Sequence, residues 1–233
     1  AKRLGGTAGD GGYGITTDSN NNVIVTGYVK DNVDMNGDGD SSDGGAETPG
    51  SAHGGSDVFI SVFNAVGTWQ WAKRLGGTSP SGDGGYGVTT DSNDNVIVTG
   101  FVSGNGDMNG DGDSVDGGAE SATGYGNEDV FISAFNSSGT WQWAKRLGGA
   151  YFTGDSGYGV TTDTNNNIIV TGVVFGNADM NGDGDSIDGG AESDTGYDYK
   201  DVFIAVFNSA GSWQGARRLG GADFSGDEGY GVT

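Results

Sequence analysis

The sequence predicts an all-β chain of tandem four-stranded antiparallel units, and three observations carry that prediction. The block AKRLGG opens at Ala1, Ala72 and Ala144 and returns as ARRLGG at Ala216, which sets repeats of 71, 72 and 72 residues. Each unit holds four short runs rich in Val, Ile, Phe and Thr, joined in pairs by Asn- and Gly-containing turns, with no helical periodicity between them. Fifty glycines, two prolines and a hydrophobic fraction of 33% describe a turn-rich β protein. The apolar residues recur in fixed blocks that can build a core, which argues against disorder.

Repeats organise the chain before any other signal does. The units run over residues 1–71, 72–143 and 144–215, and residues 216–233 begin a fourth. Within the first, Tyr13 to Asp18 leads into the turn Ser19 to Asn22, and Val23 to Val29 returns as the second strand of a β-hairpin. A polar insert follows. Asp57 to Phe63 then runs to the turn Asn64 to Gly67, and Thr68 to Leu75 closes a second hairpin. Two hairpins in sequence are the strand content of one propeller blade. Without the insert, residues 30–56, the first unit keeps 44 residues, within the range of about 40 to 45 for a blade. A propeller ring needs at least about four blades. The predicted fold is therefore a set of propeller-type blades that closes a ring only with further blades or partner chains, or stacks as an open array. Because the chain begins and ends in mid-repeat, the sequence reads as a segment or a processed form.

The stretches DVFISVFNAVGTWQWAKRLGG, residues 57–77, and GYGVTTDSNDNVIVTG, residues 85–100, resemble the bacterial seven-bladed β-propeller (SBBP) repeat family. The combination of D-V-F-I, L-G-G, G-Y-G and V-T-G at fixed spacing carries the resemblance and extends over the chain outside the inserts. It implies blades of the same kind.

A formal net charge of −22 and a pI near 4.1 argue against binding nucleic acid or an anionic membrane, since both would repel the chain. Cations are the natural partners. Of the 32 acidic residues, 15 lie in three short stretches, one in each insert. Without cysteine there is no disulfide framework and no thiolate metal site. No run of 18 apolar residues is present, so no membrane insertion is expected.

The first stretch places Asp34, Asn36, Asp38, Asp40, Asp43 and Glu47 around Gly39, following D-x-N-x-D-G, the first half of the EF-hand calcium loop. Oxygens on alternate residues can converge on one hard cation because glycine allows the sharp turn. The motif recurs as Asp107, Asn109, Asp111, Asp113, Asp116 and Glu120, and again as Asp179, Asn181, Asp183, Asp185, Asp188 and Glu192. The glutamate stands at loop position 14 instead of 12 and no helix flanks the loop. In this it is similar to the loops of dockerins, thrombospondin type 3 repeats and integrin propellers. The expected ligand is Ca2+, one or two ions per loop, with Asp34, Asn36, Asp38 and Asp43 binding through side chains. Asp40 would bind through carbonyl or carboxylate, and Glu47 would close the site. A cage of protein oxygens suits calcium better than magnesium.

The remaining candidates read as structural. Trp69 and Trp71 sit two apart on one strand, as do Trp141 and Trp143, which predicts that each pair shares a face and packs between sheets. The G-Y-G tyrosines Tyr13, Tyr86, Tyr158 and Tyr230 are expected in the core. Lys2, Arg3 and their copies read as a solvated or salt-bridged face. Gly154-Asp155-Ser156-Gly157 resembles a serine-protease fragment, but its serine is replaced by Gly84 and Glu228 in other copies. Asn136 to Ser138 fits a glycosylation sequon, and His53 is the single histidine. No nucleophile, base and orienting acid can be assembled, so no enzyme is expected. The sequence thus predicts an extracellular or surface-attached calcium-binding repeat protein with an adhesive, filament-forming or otherwise structural role, self-associating or engaging a cell-surface partner. The alternative is a lectin-like propeller that binds glycans through the tryptophans or the variable loops, 48–56, 121–128 and 193–200.

Overall fold

The computed structural model describes residues 1–48, 53–123, 125–150, 154–193, 200–221 and 226–232. The chain opens with the two-residue strand β1 (Gly5–Gly6), followed by β2 (Gly11–Thr17), β3 (Val23–Lys30), the short β4 (Val33–Asp34), β5 (Ser56–Phe63) and β6 (Trp69–Gly77). Strands β2, β3, β5 and β6 pair in that order, all antiparallel, as the first blade. The second blade is β7 (Gly84–Thr90), β8 (Val96–Ser103), β10 (Glu128–Phe135) and β11 (Trp141–Leu147), with the two-residue β9 (Gly106–Asp107) after β8. The third is β12 (Ser156–Thr162), β13 (Ile168–Val174), β14 (Asp201–Phe207) and β15 (Trp213–Leu219). Among the described residues the helical segments are single 3-10 turns, Gly45–Glu47, Gly118–Glu120 and Gly190–Glu192, and no helix is long and apolar enough to cross a membrane. AKRLGG lies on the fourth strand of a blade, so each blade completes that strand across a repeat boundary.

Polar side chains close the hairpins locally. The carboxylate of Asp91 accepts the backbone amides of Asn93 and Asn95 at 2.8 and 2.9 Å, and Asp18 does the same for Asn20 and Asn22. The 57–63 type strands read as nearly continuous apolar runs because both their faces are covered. On one side Val58 and Ile60 of the first blade join Val88, Val98 and Phe131 of the second. On the other, Val130 and Ile132 of the second join Val160, Val170 and Phe203 of the third. The core therefore lies between blades, and the second blade contributes to both interfaces.

The glycine of V-T-G is explained by close backbone approach. At Gly100 a Cβ would fall 1.9 Å from the Gly84 carbonyl oxygen, and the copies Gly27 and Gly172 stand the same distance from Gly11 and Ser156. The opposing strand also bulges there, with a register shift between Gly85 and Gly87. Gly100→Ala is expected to lower stability by about 3 kcal/mol, the overpacking cost of a rigid site, measured as the shift in urea midpoint at unchanged slope.

Two sequence expectations are corrected. Trp69 and Trp71 do not share a face. Trp69 opposes Phe63, Trp71 opposes Val62, and the register shifts between them. Directly opposed residues share a face, while Val62 and Phe63 are consecutive and point to opposite faces. Gln70 is thus the extra residue of a bulge. Trp71 packs toward the second blade, its indole N–H donating to the Ser137 carbonyl at 3.0 Å. Trp69, Trp141 and Trp213 stay 42%, 42% and 49% exposed. The G-Y-G tyrosines are also not a core. Tyr13 and Tyr230 are 59% and 69% exposed. The four rings form a row along the first strands, with successive centroids 5.3, 5.4 and 5.5 Å apart.

Candidate metal centre

Each insert leaves its blade after the second strand and returns at the third. The first aspartate of the loop is its buried pivot: Asp34, Asp107 and Asp179 are each at most 9% exposed. Their two carboxylate oxygens accept backbone amides within the loop. Gly37 and Gly39 donate to Asp34 at 2.5 and 2.9 Å, Gly110 and Gly112 to Asp107 at 2.5 and 2.8 Å, and Gly182 and Gly184 to Asp179 at 2.6 and 2.8 Å. Gly39 takes a φ of +106°, the turn expected of it. The closing glutamate sits on a 3-10 turn and is equally buried. Glu47 Oε1 accepts the amides of Met35 and Asn36 at 2.9 and 3.2 Å, and Glu120 and Glu192 repeat the bond to Met108 and Met180 at 3.1 and 3.2 Å.

Between pivot and glutamate the outer carboxylates converge. Oxygens of Asp38, Asp40 and Asp43 lie within 4.8 Å of one another, as do those of Asp111, Asp113 and Asp116, and those of Asp185, Asp188 and Glu192. The asparagine bridges them: Asn36 Nδ2 donates to Asp43 at 3.0 Å, Asn109 to Asp111 and Asp116, and Asn181 to Asp183 and Asp188. The structure thus gathers three of the six residues of each predicted set into one oxygen cluster. The first aspartate, and in two loops the glutamate, serve the loop backbone at its base.

The donor set is made of carboxylate and amide oxygens only, which suits a hard cation. One atom points the same way independently. Glu47 Oε2 is buried in a residue 5% exposed and has no hydrogen-bond partner among the described residues, a costly arrangement unless a ligand completes it. In the later loops the same oxygen accepts the amide of Asp116 or Asp188 at 3.2 and 3.1 Å. Burial raises the pKa of Asp107, Glu120 and Glu192, while the amide bonds they accept oppose that shift. A bound cation would favour their charged forms.

Around each loop lies a second set of buried charges whose role the sequence did not reveal. Arg74 donates to Asp57 at 3.1 Å, to the Ala46 carbonyl at 2.9 Å and to the Asp31 carbonyl at 2.8 Å, tying both ends of the first insert to the blade. Arg146 with Asp129, and Arg218 with Asp201, repeat the ion pair at 3.6 and 3.3 Å. The second basic residue of A-K-R-L-G-G is therefore buried and salt-bridged at Arg74, Arg146 and Arg218, while Arg3 of the first copy stays exposed. Asp83 and Asp155 form another pair of clamps. Asp83 accepts the amides of Gly77 and Ser103 at 2.8 and 2.7 Å, and Asp155 those of Gly149 and Phe175 at 2.9 and 2.8 Å. Asp155 of the protease-like string is thus engaged by backbone at the blade base.

Burial pushes Asp83 up to about 7 and Asp155 well above the usual carboxylate range, more than the two amides pull them down. The sign follows by linkage. Between the ordinary carboxylate value and about 7 the folded state binds more protons than the unfolded chain, so stability present at acid pH is lost as pH rises through that window. In chelator the melting temperature is expected to fall from pH 5 to pH 8, and Asp83→Asn with Asp155→Asn should flatten the profile.

No known family profile matches the chain. A search of curated proteins finds similarity to an uncharacterized WD repeat-containing protein of Acanthamoeba polyphaga mimivirus, 30% identical over 237 aligned positions. The alignment covers 91% of this chain but 16% of that protein's length. None of the five tryptophans here is followed by aspartate, so the likeness does not rest on the dipeptide that gives such repeats their name. The four-stranded antiparallel sheets and this relative together fit a β-propeller repeat.

Proposed function

We propose that the chain is a non-enzymatic calcium-binding structural repeat module of the SBBP kind, working outside the cell on a surface or in self-assembled fibres. The observation that carries the reading is the threefold oxygen cluster, together with the buried Glu47 Oε2, which has no partner among the described residues. In each loop the residues that would hold the ion are the outer aspartates, with the closing glutamate and asparagine beside them. Calcium would offset the mutual repulsion of five carboxylates in one short loop. Exposed loops of this kind bind at about 10⁻⁴ to 10⁻³ M, a concentration met outside cells. Self-association is supported by the inter-blade core, because blades that add face to face without closing form open-ended assemblies. Equilibrium dialysis should find about three or more calcium ions per chain at about 10 mM calcium, above these dissociation constants, little changed by equal magnesium. Fewer than one ion per chain would sink the reading.

A second reading rests on Trp69, Trp141 and Trp213, which hold equivalent exposed positions, one per blade. Exposed indoles at regular spacing suit sugar rings, and a lectin-like role predicts glycan binding that Trp141→Ala abolishes. The variable loops fall partly outside the described residues.

A further inference from the structure

We propose that each acidic loop is a clasp that fastens its own blade to the preceding one, so that calcium acts on the blade junctions and not on the fold of single blades. This rests on the calcium reading above, and three sets of contacts carry it.

The first is backbone pairing. The outer strand of each blade runs on through its Gly-Gly and pairs with the start of the next blade's loop: Gly76 with Asp107 and Gly77 with Gly106. At the following junction Gly148 and Asp179 exchange bonds of 3.0 and 2.6 Å. Gly5 and Asp34 pair in the same way. The pivot aspartates of the second and third loops are thus anchored on the blade before them, and that of the first on the strand Gly5–Gly6.

The second is the lysine of AKRLGG. Lys73, on the first blade, donates to the Gly110 carbonyl of the second loop at 2.9 Å, and Lys145, on the second blade, to Gly182 of the third loop at 3.0 Å. Lys2 bonds Gly37 at 2.9 Å. The lysine stem crosses the loop so closely that a Cβ on Gly37, Gly110 or Gly182 would sit 2.7 Å from its Cδ. The fourth loop position is glycine partly because a neighbouring blade lies against it.

The third set comes from the tail of the preceding insert. Tyr125 of the second insert donates through its hydroxyl to Asp179 of the third loop at 2.7 Å, and His53 Nε2 of the first lies 3.9 Å from Asp107 of the second. The first two loops are also held on their own blades, where Ser61 Oγ donates to the Met35 carbonyl and Ser133 Oγ to that of Met108, both at 2.6 Å, and the third through Arg218, which donates to the Ala191 carbonyl at 3.3 Å. The second and third loops therefore span two blades. An ion that binds the ordered loop better than the loosened one must favour docking, and docking must favour the ion by the same factor.

The triple variant Asp111→Asn, Asp113→Asn, Asp116→Asn disables the second loop, which belongs in sequence to the second blade. In calcium, hydrogen exchange should show protection falling roughly tenfold or more at Gly76 and Asp107, while Gly148 and Asp179 keep theirs. Loss at the later junction instead, or equal loss at both, overturns the clasp. In the unaltered chain, chelator should strip protection from Gly76, Asp107, Gly148 and Asp179 before it touches Val98 or Ile132, a result that does not depend on the variant folding. Blade interiors opening together with the junctions would also overturn it. A chain that binds no calcium in dialysis fails at the earlier step, whereas one that binds calcium with unaltered junction exchange fails at this one.

Discussion

Replacing calcium by chelator is expected to lower the melting temperature of this chain by on the order of 15 °C. At the tenfold to hundredfold excess that 10 mM calcium sets over the dissociation constants of such loops, an ion that binds only the folded state contributes about 1.4 to 2.7 kcal/mol per site. Three oxygen clusters are present among the described residues, and in a chain of this size each kcal/mol moves the midpoint by about 2 to 4 °C. Buried Glu47, Glu120 and Glu192 sharpen the effect, since without an ion their charge is set against neighbouring aspartates in a desolvated place. Calorimetry in 10 mM calcium and in chelator, with 10 mM magnesium as the comparison, measures it. A midpoint that ignores calcium would remove the metal from the reading. A drop in chelator that magnesium fully restores would remove calcium in particular.

The second large effect is expected from Arg74→Met, which should destabilise the protein by about 3 to 5 kcal/mol, the cost of leaving one partner of a buried ion pair uncompensated. Arg74 and Asp57 are 3% and 1% exposed, and the guanidinium also satisfies the carbonyls of Asp31 and Ala46 at the two ends of the first insert. A single ammonium cannot reach all three acceptors, so Arg74→Lys should recover only part of the loss. Adding Asp57→Asn to Arg74→Met should recover more, because it removes the stranded charge. Urea titration separates the three. Calcium affinity should fall along with stability in Arg74→Met, since the Ala46 carbonyl it holds belongs to the turn that carries Glu47. Equal stability of Arg74→Met and the parent chain would mean that the ion pair only replaces what water would supply.

Much of this molecule is written in short-range pattern. The repeat period, the hairpins 13–29 and 57–75 and the polar insert between them could be read directly, because strand alternation, turn chemistry and strand length act within about ten residues. The candidate ligands were legible for the same reason: Asp34, Asn36, Asp38 and Asp40 alternate along one short loop whose glycines permit its turns. Only three of each six, however, meet in a common oxygen cluster, and that division depends on the backbone amides each carboxylate accepts.

What the tertiary structure decided is the relation between copies. Near-identical units offer identical partners, so no pattern in the sequence states whether Lys73 reaches the first loop or the second, 37 residues on. The same degeneracy hid Arg74, which looks like a surface cation beside Lys73 until the fold places their side chains on different inserts. The tryptophan pair misled for a smaller reason: one extra residue at Gln70 turns Trp71 onto the next blade and leaves Trp69 in water. Local sequence determined a blade and an acidic loop. Packing of one copy on the next, through contacts 35 to 75 residues apart, decided that the loop lies at the seam between blades.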